Sequence, residues 1–492
     1  MASTGDYLEL RPRKSSVDGG ILGCPRPVSP EYVVDWDGPA DPKNPQNWAS
    51  WKRYTYLAIL EWLSCTVGMG SMIVMPVMGN VMKELGINIT CFPLLDLGFY
   101  LLGSALGALF FPPISEAYGR LQAYHCGNIS LLTFTIICAL SKSPFQFITF
   151  RILVGFAGAA PLTVVGGTVA DLYRLRERSR AATGLAIGPL LGAIFGLLIG
   201  RALASSSNWR WALWSISIAS GIGTLATLAA MRETHPKILL ERKADILRKR
   251  SCSTHIRSAH DRSLGHWQSL SPAFTRPIRI VVFSPAVSMI SAYIGIVLGL
   301  LHLLIVTISW VFEMQYGFGP DLSLLLGRSL DFGVILGNFF AALLTDCILR
   351  RHMASASVTQ PKSEYHLTLM KWAAPVIPVG LVVYSWTAQY KVNPVVPTIG
   401  LFIVGFSCFL VWVPSQAYLI DLYGSEGAAS VMGASVFVRS LFAAFLPLAG
   451  FHLYVRLNYG WGNTMMGLVV LVFTSVPWIL SRYGKRMPVA QL

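Results

Sequence analysis

Residues 281–311 read VVFSPAVSMISAYIGIVLGLLHLLIVTISWV, a run without one Asp, Glu, Lys or Arg. A helix crossing a bilayer core needs about 20 consecutive apolar residues, so this run is more than long enough. Comparable runs flank it on both sides. Spans are predicted near 54–78, 92–112, 121–140, 145–172, 179–203, 209–231, 322–345, 367–390, 395–418, 427–451 and 461–481, which with 281–311 makes twelve. Inside hydrocarbon every backbone polar group needs an internal partner, and helices supply one. The 492 residues are 53% hydrophobic and 13% charged, whereas soluble domains carry about 25% charge. The expected fold is an all-α membrane protein with twelve transmembrane helices in two six-helix lobes.

The basic segment 232–280 lacks an apolar run and sets the organisation. It divides a cytoplasmic tail (1–53) and a first lobe (54–231) from a second lobe (281–481) and a short cytoplasmic tail (482–492). Within it, residues 242–250 suit an amphipathic helix lying along the membrane surface. The net charge of +15 invites a nucleic-acid reading. With the N-terminus inside, however, about 30 of the 39 Lys and Arg fall in cytoplasmic segments, the bias that sets membrane topology. The polar first fifty residues show no signal peptide. Eight cysteines show no metal or disulfide spacing, and no phosphate-binding G-x-x-x-x-G-K-[ST] run is present. No cofactor is called for. A sequon at Asn88-Ile-Thr90 sits in the expected first external loop, and one at Asn128-Ile-Ser130 falls inside a span.

Two segments echo each other. Leu106 to Arg120 and Leu336 to Arg350 each run from a Gly-containing apolar helix to a carboxylate (Glu116, Asp346) with an Arg four positions on. Duplicated halves are a transporter signature. Glycines four apart (Gly184, Gly188, Gly192, Gly196) form a flat stripe that lets a neighbouring helix approach closely, and Pro189 bends its helix.

Five segments resemble the major facilitator superfamily, and within it the fungal twelve-helix drug:proton antiporter branch. Val34-Asp35-Trp36-Asp37-Gly38-Pro39 followed by Asp41 to Trp48 is similar to the branch's WDGPDDPENPQNW segment before the first helix. Ser115-Glu116-Ala117-Tyr118-Gly119-Arg120 resembles the loop after the second helix, with Leu121 where a second Arg is commoner. Arg151 to Gly155 with Pro161 and Gly166 to Asp171 resembles the fourth helix, Gly184 to Gly192 the antiporter motif of the fifth, and Val438 to Phe445 the eleventh. The resemblance implies that Glu116, Gly119, Arg120 and Asp171 form a charge latch between helix ends. At an exposed end such a latch is worth on the order of 1 kcal/mol. It also implies that Gly184, Gly188, Pro189 and Gly192 favour antiport over uptake, and that Arg151 faces the central cavity and supports proton handling. Arg439 matches the branch without a clear role.

One ionised group in mid-bilayer costs about 3 kcal/mol or more, so intramembrane charge marks function. Glu61, Asp96 and Asp331 are acids to which the resemblance assigns no role. Asp331 shares a helix face with Arg328 three positions earlier, so the two are placed to neutralise each other. Glu61 has no local partner and is the preferred proton-coupling acid. Trp62, Phe99, Tyr100, Asn338, Trp386, Trp412 and Gln416 are candidate liners of a substrate pocket, and His302 is a titratable group within a span. The reading is proton-coupled efflux of a small organic compound (drug, toxin or secondary metabolite) by alternating access. The expected substrate is hydrophobic or cationic, and its carrier a monomer in the plasma or an internal membrane. Arg151→Ala is expected to abolish efflux with folding intact. The alternatives are proton-coupled uptake on the same fold, or a non-transporting sensor. A membrane enzyme would need clustered His or Asp groups, which no span carries. No metal and no nucleic-acid partner is expected.

Overall fold

The computed structural model describes residues 32–38, 40–89, 92–174, 177–178, 181, 184–204, 208–251, 256–258, 266–356 and 365–483. Its helices are α1 (Ser50–Met72), α2 (Met78–Leu85), α3 (Phe92–Ala117), α4 (Arg120–Ala139), α5 (Pro144–Leu172), α6 (Ile187–Ala204), α7 (Arg210–Ala230), α8 (Pro236–Ser251), α9 (His266–Phe283), α10 (Pro285–Tyr316), α11 (Pro320–Ala356), α12 (His366–Ala373), α13 (Val376–Gln389), α14 (Val395–Phe473) and α15 (Val476–Tyr483). Nine helical stretches among the described residues are long and apolar enough to cross a membrane, the last of them Gly427–Tyr483. α1 and α4 are long enough but more polar. Gly427–Tyr483 holds two passages, so the total is twelve.

α14 is assigned as one helix of 79 residues, which straight would span about 120 Å at 1.5 Å per residue. It reverses twice instead. Asn458 is left-handed at φ 62°, and Tyr454 Oη donates to Asn463 Oδ1 at 2.7 Å. In a straight helix those positions would lie about 14 Å apart. The other reversal follows from pairing. Gly333 and Gly337 of α11 meet Phe402 and Phe406, so 395–423 runs parallel to α11. Gly295 and Gly299 of α10 meet Phe442 and Leu446, so 427–457 runs parallel to α10. α10 and α11 are antiparallel about the left-handed Gly317, with Gly327 against Ile308. The chain therefore turns between 423 and 427.

Several boundaries differ from expectation. The first span ends at Met72 and a turn carries Pro76 before α2. α3 continues through Pro112 and Pro113 to Ala117, five residues past the expected end at 112. Pro112 cannot donate to Ala108 O, and Gly433 packs on both. Residues 281–283 belong to α9, and the apolar run breaks at Ser284-Pro285 before α10 begins.

The glycine stripe packs as its spacing predicts, shifted by one position. A Cβ on Gly188 would meet Glu61 Oε2 at 2.1 Å, one on Gly192 the Cys65 carbonyl oxygen at 1.9 Å, one on Gly196 Met69 O at 2.7 Å and one on Gly200 Ile73 O at 2.3 Å. The four contacts keep one register, so α6 lies parallel to α1 at backbone contact. Gly184 faces open space and is no part of this seam.

Each lobe has its own apolar core, one around α10–α14 and two around α1–α7. The lobes meet where α3 and α5 pack on 427–457: Gly98 lies against Ala444 O, Gly433 against Ala108 O, and Gly166 against Met432. On the linker face β1 (Tyr32–Val34) pairs in parallel with β2 (Ile256–Ser258), and Lys243 Nζ donates to Asp35 O at 2.9 Å and bonds Asp37 at 2.5 Å. α8 buries Leu240 and Ala244 in the protein, Ala244 against Val34. The expected membrane-surface helix thus packs part of its apolar face on the protein, while Ile246 stays 54% exposed. On the opposite face Glu84 accepts from Arg210 Nη1 at 2.8 Å and Trp209 Nε1 at 2.7 Å. The Arg210 guanidinium holds the Glu84 carboxyl below the usual carboxylate range.

Gly192→Ala must push α1 and α6 apart. It is expected to cost about 1–3 kcal/mol, as overpacking does, whereas Gly184→Ala is neutral. Thermal melting of the two purified variants beside the parent checks both.

Candidate substrate cavity and intramembrane charges

A cavity of about 160 Å³ lies between the lobes. α1, α3 and α6 wall one side with Val67, Tyr100 and Pro189; α10 and α14 wall the other with His302, Trp412 and Arg439. A smaller space of about 50 Å³ adjoins it, sharing Leu162, Pro189, Trp412 and Arg439 and adding Gln416 and Met432. Its lining continues towards the linker-face ends of α5 and 395–423. Of the expected liners, Tyr100, Trp412 and Gln416 face these spaces. Trp62 is 43% exposed and donates to Ala219 O, and Trp386 donates to Thr464 beside Trp461. Phe99 and Asn338 line neither space. No Asp or Glu lines either space, so a cationic substrate finds no counter-charge among the described lining residues.

Arg151 does not face the cavity. It is fully buried one layer behind Tyr100, its guanidinium 5.0 Å from that ring. Nε and Nη2 donate to the two oxygens of Asp96 at 2.8 and 2.9 Å, and Nη1 donates to Gly70 O at 2.9 Å. This bidentate pair joins α5 to α3 and neutralises both charges. Fifty-five positions separate the partners, so sequence spacing gave no hint of the pairing. Breaking a buried pair strands a charge, which overturns the expectation that Arg151→Ala leaves folding intact.

The latch is also buried rather than exposed. Arg120 and Asp171 have side chains 1% and 0% accessible and pair at 3.1 Å. Arg120 Nη1 also donates to Ser115 Oγ at 2.9 Å. The guanidinium lies on Gly167, where a Cβ would come within 2.5 Å of Cζ. Glu233, unnoticed in the sequence, caps α4 by accepting from Arg120 N (2.9 Å) and Leu121 N (3.2 Å). Gly119 sits beside it at φ 108°, where a Cβ would strike the Glu233 carboxylate at 2.3 Å. Glu116 has further partners of its own. It accepts from Arg276 Nη1 of α9 at 2.8 Å and from Ser430 N (3.1 Å) and Oγ (2.8 Å), tying the first lobe to the second. In the echoed segment the Arg350 side chain lies outside the described residues.

Arg328 and Asp331 pair at 2.7 Å as their spacing predicts. Glu61 has no ion-pair partner among the described residues: its half-buried carboxyl lies against the backbone of Gly188. Arg439 has no carboxylate partner among the described residues; the Trp412 ring lies 5.8 Å from its guanidinium. A second pair missed in the sequence, His366 Nε2 and Asp421 Oδ2 at 3.1 Å, ties α12 to 395–423. Asn88 is exposed between α2 and α3, and Thr90 of its sequon lies outside the described residues. Asn128 is buried in α4.

Arg151→Met alone is expected to destabilise the protein by about 3–5 kcal/mol. Adding Asp96→Leu, which removes the stranded carboxylate, restores much of that loss. Folded yield and thermal midpoints of the two single variants and the double variant test the coupling.

The profile of the Major Facilitator Superfamily matches residues 62–447. The chain is 38% identical over 481 residues to the trichosetin biosynthesis cluster MFS transporter of Gibberella fujikuroi, covering 97% of this chain and 93% of that one. It is 34% identical over 455 residues to efflux pump radE of Floropilus chiversii, covering 92% and 84%. The fold is that of the proton:xylose symporter XylE, with a TM-score of 0.69 at 12% identity over 89% of this chain and 96% of that one. From the family match and these relatives together, the chain belongs to the Major Facilitator Superfamily of membrane transporters.

Proposed function

We propose that this transporter exports a small, largely apolar organic compound, a toxin or secondary metabolite, against inward proton flow. The observation that carries the reading is the apolar cavity walled by both lobes. Rocking the lobes about their α3, α5 and 427–457 seam would expose it to either side in turn. Such lobes move as near-rigid bodies around a fixed site. One chain walls the whole cavity, which supports a monomeric carrier. Relatives named for efflux and for a biosynthesis cluster support outward transport of a metabolite, and outward transport suits the plasma membrane.

Glu61 is the proposed proton carrier. Its carboxyl is half-buried, is paired with no arginine or lysine of the described residues, and lies against Gly188, next to the cavity-lining Pro189. A movement of α6 against α1 therefore changes its surroundings directly. Asp96, Asp171 and Asp331 are held by arginines, so protonating them would leave an arginine unpaired. One proton crossing 100 mV supplies about 2.3 kcal/mol, with the pH difference added. The latch of Glu116, Gly119, Arg120 and Asp171 is proposed to close the linker face, and Glu116 must release Ser430 for it to open.

Efflux of fluorescent dyes, azoles and polyamines from cells expressing the chain, with and without a protonophore, tests the proposal. Export that collapses with the protonophore is the expected result. Accumulation in place of depletion would establish uptake instead. Glu61→Gln is expected to flatten the pH dependence of transport while the protein still reaches the membrane; an unchanged pH profile would remove Glu61 from coupling.

A further inference from the structure

Among the described residues Arg439 is the one Lys, Arg, Asp or Glu lining the cavity, and no carboxylate answers it there. It borders both spaces, and no carboxylate of the described residues lines either. Its described interactions are with the Trp412 ring at 5.8 Å and, through its charge, with the neighbouring His302. Arg439 is half-buried on the cavity wall, and a charge drawn even partly out of water without a counter-charge is a cost that a bound anion would relieve. Around it stand further polar groups with no partner. Trp412 Nε1 is buried without an acceptor, and Gln416, one turn along the same helix, has both amide atoms unpaired. The ring of His302 completes the polar set. Its Nδ1 lies 2.7 Å from Leu298 O. A carbonyl oxygen only accepts, so Nδ1 carries the hydrogen and the neutral ring offers Nε2 as an acceptor. The remaining walls, among them Met72, Leu101, Leu298 and Ile305, are apolar.

We propose that the cavity selects compounds with an acidic head group on an apolar body, the anion seated on Arg439 between Trp412 and Gln416. A guanidinium offers its donors in a fixed fork that matches a carboxylate or a similar delocalised oxyanion. The neutral donors Trp412 Nε1 and Gln416 Nε2 add hydrogen bonds without adding charge. The apolar body lies along the larger space between α1, α3 and α10. This inference rests on the reading of the cavity as the transport site, and it replaces the expected cationic substrate with an anionic one.

The test uses the full chain in lipid nanodiscs and three probes of equal ring size: 1-naphthaleneacetate, its neutral amide, and 1-naphthalenemethylamine. The acid is expected to bind at least about tenfold tighter than the amide, or about 1.4 kcal/mol, with the amine weakest. Arg439→Gln should bring the acid down to the affinity of the amide and leave the amide unchanged. Arg439→Lys, which keeps the charge and loses the fork, should retain part of the preference. Melting curves verify that the variants are folded, and Arg439→Gln should melt higher than the parent because an unbalanced charge is gone. Equal binding of acid and amide, binding led by the amine, no binding of any probe, or a preference that survives Arg439→Gln would each overturn the proposal. Flux in proteoliposomes separates the two readings. Acid binding with the stated preference but without flux sinks the transport reading alone, whereas flux of all three probes without preference sinks this one alone.

Discussion

A charge carried into an apolar interior must meet a counter-charge or be justified by function, and the first lobe is assembled around that constraint. α5 bears Arg151 and Asp171, twenty positions and so about 30 Å apart, roughly the depth of the hydrocarbon layer. Each is answered from the α3 side. Asp96 near the start of α3 takes Arg151, and Arg120 just past its end takes Asp171. Two buried ion pairs thus clasp parallel helices at both ends. Between the clasps the backbones touch: a Cβ on Gly103 would lie 1.9 Å from Ile152 O, and one on Gly155 1.9 Å from Tyr100 O. The ion pairs fix the register in which the glycines mesh, because a slip of one residue would part both pairs together.

The same constraint separates scaffold from working parts. Paired charges resist movement, since each partner would be stranded by it. Glu61 and Arg439 carry no such tether, and they lie on either side of one structural element. Gly188 presses on Glu61 while the adjacent Pro189 lines the cavity that Arg439 also borders. The first turn of α6 therefore stands between an acid and a base that no opposite charge of the described residues answers. A shift of α6 that changes the cavity cannot leave the Glu61 site as it was. For the proposed proton coupling this is a physical route by which substrate and proton would sense each other without touching.

What the sequence made legible follows the range of each interaction. Hydropathy marked the spans, because burial in lipid depends on local composition. The Arg328–Asp331 pair and the glycine stripe were readable because helical periodicity alone places those residues on one face. The stripe was misplaced by one position because nothing local distinguishes Gly184, open to space, from Gly200, which packs on Ile73 and Pro76. Arg151 was expected in the cavity and the latch at an exposed end. Both errors have one origin: the groups that bury them come from 50 or more positions away. Asp96 is one of these, and Asp171 and Glu233 are the others.

Arg439 shows how those long-range pairings turn a residue without a clear role into an informative one. In the sequence it was one intramembrane arginine among three. Two of the three are charge-paired in the fold, Arg151 with Asp96 and Arg328 with Asp331. Only then does the third stand out, since the acids that might have answered it are engaged elsewhere or turned towards Gly188. The polarity of the cavity is therefore set by subtraction. The scaffold consumes its carboxylates in holding helices together, and the site where the lobes meet is left with a cation, neutral donors and an apolar wall. A substrate entering it completes a charge balance that the chain leaves open.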